Sequence, residues 1–217
     1  ADRLGPSGGL SELDPEVGVI DVGKQPCHHP VPQDEINELL VAHARRGKRV
    51  VRLKGGDPFV YGRGGEEVAA CVAAGIPVEV VPGLTSAVSV PQAAGIPVTH
   101  RGTASGFHVV NGQAEVQSST LVALGDDAVT TVVLMGVGAL PRLVSAALAA
   151  GAPADRPVAI IENGHTNQQR TTRSTLQDVV SDAAAAGVRN PAVIVIGNVA
   201  RAGLLLSERQ RVGDVTR

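Results

Sequence analysis

Short runs of β-branched residues alternate with Ala- and Leu-rich stretches along most of this chain. Residues 17–22, 49–53 and 78–81 read as strands in the first half. Between them, residues 34–46 place Ile36, Leu39, Leu40 and His43 at helical spacing, with acids at the start and Arg45, Arg46 and Gly47 at the end. Residues 65–74 form a second expected helix, stopped by Gly75, and residues 86–94 a short third one. Beyond an irregular stretch at 95–105, strands are expected at 107–110, 132–135, 158–162 and 192–196. Helices are expected at 140–150 and 176–186, the latter with Ser174 as its cap. Near-continuous apolar strands alternating with helices predict an α/β fold whose sheets are covered on both faces. The irregular stretch predicts two domains, residues 1–102 and 103–217.

Composition narrows the function. The 217 residues are 43% hydrophobic and 18% charged, so a buried core is expected rather than disorder. Aromatics make up 1%, Phe59, Tyr61 and Phe107, which argues against stacking platforms for nucleic acid. A net charge of −2 provides no global field for nucleic acid or an anionic membrane. No apolar run approaches the ~18 residues of a membrane span. Cys27 and Cys71 are too few for a disulfide scaffold or a thiolate cage. The expectation is a soluble, cytoplasmic protein that binds neither nucleic acid nor membrane.

In α/β folds, ligands bind in loops beyond the carboxyl ends of strands. The richest such loop is LKGGDPFVYGRGGEE, Leu53 to Glu67. Gly55 and Gly56 clear side chains from where a ligand would meet backbone amides, and Asp57 before Pro58 adds a carboxylate at a turn. Gly64 and Gly65 then open a helix whose amides, with Arg63, could receive an anion. The loop lacks the terminal Gly-Lys-Ser/Thr of a phosphate-cradling loop. GVGALP, Gly136 to Pro141, carries only part of a dinucleotide fingerprint, so an oxidoreductase is a distant alternative. In VVPGLTS, Thr85 and Ser86 supply hydroxyls at a helix start, where capping alone would also account for them.

The blocks VVRLKGGDPFVYGRGGEEV and IPVEVVPGLTSAVSVPQAAGIPVTHRG resemble the uroporphyrinogen-III C-methyltransferases of the tetrapyrrole methylase family. VGKQPCHHPVPQDEINELL, VVLMGV, IIENGHTNQQRT and NPAVIVIGNV extend the resemblance over essentially the whole chain. It implies two α/β domains with the cofactor in the cleft between them. It also implies that the family's opening strand and Gly-rich loop, one βα unit of about 30 residues or fewer, are missing before ADRLGP. The implied reaction is methyl transfer from S-adenosylmethionine to two carbons of uroporphyrinogen III, giving precorrin-2 on the way to sirohaem or cobalamin. S-adenosylhomocysteine is the coproduct, and a homodimer is implied. The resemblance also allows the methyltransferase part of a sirohaem synthase.

Carried over position by position, the resemblance implies cofactor contacts at Gly55, Gly56, Asp57, Val60, Thr85, Ser86, Met135 and Gly164. It also implies a proton acceptor at Asp2 and a proton donor at Lys24. From the residues alone, Met135 would be a core gap-filler, Asp2 a terminal residue and Lys24 a solvated charge. The polycarboxylate substrate calls for local positive groups, first among them Arg63 and Arg101. His28 and His29 are adjacent, so on an extended chain they point opposite ways, and no metal is expected. Other readings are a methylase of a later corrin intermediate and a non-catalytic ligand-binding remnant of the family.

Overall fold

The computed structural model describes residue 10, residues 12–23 and residues 31–205. These fall into two compact units that divide between Thr85 and Ser86. In the first unit, α1 (Gln33–Arg45) packs against α2 (Gly64–Ala73). Helix α1 carries Asp34 and Glu35 in its first turn and His43 and Arg45 in its last, complementing the backbone dipole, and Ile36 is its buried residue. Gly47 follows at φ 75°, a left-handed conformation suited to glycine at a helix end. The strands expected at 17–22, 49–53 and 78–81 are not formed. No ladder joins these runs among the described residues, and Val51 and Val81 are 78% and 72% exposed. β-Branched composition suits a residue to a pleated surface, but a strand also needs a hydrogen-bonded neighbour.

The second unit is built on a five-stranded mixed sheet of order β1-β2-β5-β3-β4. Its strands are β1 (Gly106–Asn111), β2 (Val129–Leu134), β3 (Pro157–Glu162), β4 (Arg170–Thr175) and β5 (Ala192–Ile196). β1 and β2 run parallel, while β5 is antiparallel to both β2 and β3, and β4 is antiparallel to β3. Four of the five coincide with expected strands. β4 was not expected, because RTTRST is polar; it forms the sheet edge, where one side stays solvated.

Its helices are α3 (Ser86–Ala93), α4 (Ser118–Gly125), α5 (Leu140–Ala149) and α6 (Val179–Ala185). Helix α4 lies where no element was expected. α6 is shorter than the expected 176–186, and Asp178, not Ser174, stands at its N-cap position. Ser174 lies in β4, and its hydroxyl donates to the Asp182 carboxylate.

Alternation along the strands sends apolar side chains to both faces. Val133, Val158, Ile160, Ile194 and Ile196 pack beneath α4, α5 and α6, joined by Leu143, Val144 and Leu176. Val132, Leu134, Ala159, Ile161, Val193 and Val195 face the other way, toward α3 and residues 96–104. Two covered faces explain the near-continuous apolar runs, and each large aliphatic side chain removed from water contributes about 1.5–3 kcal/mol. Ala87, Ile96 and Ala104 belong to this core. The second unit accordingly begins at Ser86, ahead of the boundary expected between residues 102 and 103.

Candidate functional site

In the first unit, the Gly-Gly-Asp loop and the Pro-Gly turn that the sequence singled out lie against each other. Asp57 joins them: its Oδ1 accepts the Phe59 N–H at 2.8 Å, and its Oδ2 accepts the Gly83 N–H at 3.2 Å. The approach is close enough that a Cβ on Gly83 would overlap the Gly56 carbonyl oxygen. Gly56 sits at φ 77°, so both glycines are required by geometry. The rest of the loop turns tightly. Tyr61 and Arg63 have φ of 55° and 58°, and the Gly64 N–H donates to the Pro58 carbonyl at 2.9 Å. Val60 is at the loop surface, its N–H directed at the Asp57 carbonyl at 3.3 Å. Thr85 ends the first unit, two residues after Gly83.

Arg63 has a different setting from the one its expected role calls for. Its Nε and Nη2 donate to the two Glu66 oxygens at 2.8 and 2.6 Å, forming a bidentate pair on the exposed surface. That hydrogen bond holds the Glu66 carboxyl below its usual range and the Arg63 guanidinium above its own.

Beneath the loop is a cluster that sequence reasoning missed. Glu67 is buried in α2, where its Oε1 accepts from Arg52 Nε at 3.1 Å, Lys54 Nζ at 3.1 Å and Gln33 Nε2 at 3.3 Å. Its Oε2 accepts from Lys54 Nζ at 3.0 Å. The available signal was the pair Arg52 and Lys54: two residues apart, flanking Leu53, they call for a counter-charge on one side of the chain.

In the second unit, three expected residues are gathered by the sheet. Leu134, Val193 and Ile161 share one register row, and Asn111 pairs with Leu134, so β1, β2 and β3 end at the same edge. Met135 follows β2 there at φ 55°, 41% exposed, and Gly164 follows β3. Gly164 is pressed against α3: an added Cβ would lie 2.7 Å from both γ-carbons of Val90. His165 Nε2 donates to the Ser89 carbonyl at 2.7 Å, and Gln169 Nε2 to that of Ala93 at 3.1 Å. Helix α3, which Ser86 opens, thus clasps the Asn163–Gly164–His165 turn while its Ala87 packs with Leu134.

Behind that turn, buried Glu162 accepts from Arg170 Nε at 2.8 Å and from the Arg189 N–H at 2.9 Å. Arg101 is placed otherwise. It is exposed in a turn closed by the His100–Ala104 bridge, which leads into the start of β1, the opposite end of the strand from Asn111. Gly136 opens the short 3-10 turn before α5, and Gly112 lies against it: a Cβ on Gly112 would overlap the Gly136 Cα.

Asp2 and Lys24, the expected catalytic pair, lie outside the described residues, as do His28 and His29. Among the described residues, no three His, Cys, Asp or Glu side chains group to hold a metal ion. Nor is any described helix long and apolar enough to cross a membrane.

The model of the family Tetrapyrrole (Corrin/Porphyrin) Methylases matches residues 10–180. The chain is 49% identical over 184 residues to a uroporphyrinogen-III C-methyltransferase of Methanocaldococcus jannaschii, covering 83% of this chain and 76% of that protein. It is 43% identical over 186 residues to a siroheme synthase of Gluconobacter oxydans, covering 84% of this chain and 39% of the relative. The chain therefore spans about two fifths of the length of that synthase. A crystal structure of the Thermus thermophilus uroporphyrin-III C-methyl transferase with S-adenosyl homocysteine superposes with a TM-score of 0.67 at 40% identity, over 83% of this chain and 76% of that one. A cobalt precorrin-4 methyltransferase shares the fold, with a TM-score of 0.74 at 22% identity over 90% of this chain and 81% of that one. By its family match and by these identities, the chain belongs to the tetrapyrrole methylase family.

Proposed function

We propose that this chain transfers methyl groups from S-adenosylmethionine to ring carbons of uroporphyrinogen III, giving precorrin-2 for sirohaem or cobalamin synthesis. The observation that carries the reading is the 49% identity, over 83% of this chain, to a relative named for that reaction. Local chemistry agrees with the cofactor. Gly55 and Gly56 offer bare backbone, Thr85 and Ser86 offer hydroxyls, and Met135 offers a thioether at a strand end. Neutral polar and apolar groups of this kind suit an adenosyl ligand that brings its own carboxylate and ammonium. Gly55, Gly56, Asp57, Val60, Thr85, Ser86, Met135 and Gly164 are the proposed contacts.

The bound cofactor would supply an electrophilic methyl group. The chain's own part is to hold the pyrrole carbon in line with it, to exclude water, and to move protons. Asp2 is proposed to take the proton that the newly methylated ring carbon must lose, and Lys24 to return one elsewhere. Arg63 and Arg101 are proposed to meet substrate carboxylates, Arg63 by exchanging its Glu66 partner for the ligand. The reading is completed by a homodimer, which rests on the resemblance, and by a place in the cytoplasm, which rests on the sequence composition.

The test is anaerobic incubation with uroporphyrinogen III and S-adenosylmethionine carrying a labelled methyl group. Label should enter the tetrapyrrole. In the Lys24→Ala variant, S-adenosylhomocysteine binding should persist while label transfer slows; a fully active variant would remove Lys24 from the chemistry.

A further inference from the structure

At the sheet edge where β1 and β2 end, the turn that follows β1 lies directly against Met135 and Gly136. The Gly112 N–H donates to the Leu134 carbonyl at 2.8 Å, which carries the β1–β2 ladder to the residue just before Met135. A Cβ on Gly112 would also stand 3.1 Å from the Met135 carbonyl oxygen. Met135 takes φ 55°, a left-handed conformation that is strained for a residue with a side chain and persists only where its surroundings impose it. Its side chain is 41% exposed, so the constraint falls chiefly on the backbone around it. The turn that supplies this constraint is itself held. Asn111 folds it, its carbonyl accepting the Ala114 N–H at 3.1 Å and its Oδ1 the Gln113 N–H at 2.9 Å. Arg142, in the first turn of α5, latches it: Nη2 donates to the Ala114 carbonyl at 2.7 Å and to the Gly112 carbonyl at 3.3 Å. Met135 and Gly136 lead into that same helix through the 3-10 turn Val137–Ala139. The guanidinium thus ties the turn after β1 to the segment that leaves β2, with Met135 at its root.

We propose that Arg142 is a positioning residue for the cofactor: by latching the Gly112–Ala114 turn it keeps Met135 in the left-handed conformation in which the cofactor meets it. The inference rests on the cofactor reading above, which includes Met135 among the contacts, and adds to it a residue that acts through the turn rather than on the ligand. The worth of the latch then depends on the residue at position 135. Glycine adopts a φ near that of Met135 without strain and has no need of the latch, whereas methionine does.

The experiment is calorimetric titration of S-adenosylhomocysteine into the wild-type chain, Arg142→Met, Arg142→Lys, Met135→Gly and the double variant of Met135→Gly with Arg142→Met, with a thermal melt of each. Arg142→Met alone should weaken binding by about three- to tenfold, the size of hydrogen bonds from an exposed charged donor. Arg142→Lys, whose ammonium can donate to the same carbonyls, should recover most of that loss. Met135→Gly should bind more weakly for want of the side chain, but adding Arg142→Met to it should change the affinity by less than about twofold. A merely structural Arg142 would lower the melting temperature and give the same fold-loss whichever residue stands at 135. Equal losses in the two backgrounds, or no loss beside Met135, overturn the proposal. If the wild-type chain does not bind the ligand, the cofactor reading fails and takes this inference with it; if it binds and the two losses are equal, only the role of Arg142 fails.

Discussion

The carboxylate of Asp57 faces backbone on both sides, closing its own turn through Phe59 and tying the loop to Gly83. In this structure it braces two pieces of chain that both carry proposed cofactor contacts, so its substitution should act on their spacing. Asp57→Ala deletes two hydrogen bonds to a charged group, each worth about 1.5–3 kcal/mol in favourable settings. S-adenosylhomocysteine affinity, by calorimetry, should fall by roughly tenfold or more; an unchanged affinity would take Asp57 out of the site.

The turn at Gly55, Gly56 and Asp57 is legible in the sequence because glycine pairs and Asp-Pro mark turns. Glu67 is not. Glu66 and Glu67 are chemically identical neighbours, and only the phase of α2 makes the first a surface partner of Arg63 and the second a buried counter-ion. The setting of Arg63 was equally out of reach, since its partner lies three residues on in a helix whose starting point decides the pairing.

At the scale of elements, the edge where β1, β2 and β3 end is held in shape by loops rather than by strands. Gly164 lets the turn after β3 lie on α3, with His165 and Gln169 bonded to its backbone carbonyls. Gly164→Ala should force the turn and Val90 apart, lowering thermal stability and cofactor affinity together, at a cost of about 1–3 kcal/mol for an overpacked contact. Val90→Ala in the same chain should restore much of both; failure of that rescue would mean that the turn does not depend on this contact.

Strands buried on both faces announce themselves, which is why β2, β3 and β5 match their expected places. β4 escapes because an edge strand with a solvated side needs no apolar run, and α4 because SSTLVALG is too short for its periodicity to stand out. The error ran the other way in the first unit, where apolar runs at 49–53 and 78–81 met no ladder among the described residues.

For the molecule as a whole, the fold class was readable and the position at which the two units divide was not. The alternation of elements pointed to α/β architecture, and the five-stranded sheet with helices on both faces bears that out. The boundary depended on which side of the irregular stretch the short helix α3 packs, a fact of tertiary structure to which Ala87, Ile96 and Ala104 give no local sign. The proposed function is read from motifs that lie in loops, where chemistry constrains residue type more tightly than packing does.

The most direct measurement is the mass of the tetrapyrrole recovered after anaerobic incubation of this chain with uroporphyrinogen III and S-adenosylmethionine. A gain of two methyl groups, passing through a singly methylated species, is the predicted result. A chain that binds S-adenosylhomocysteine yet returns uroporphyrinogen III at its original mass would contradict the assignment.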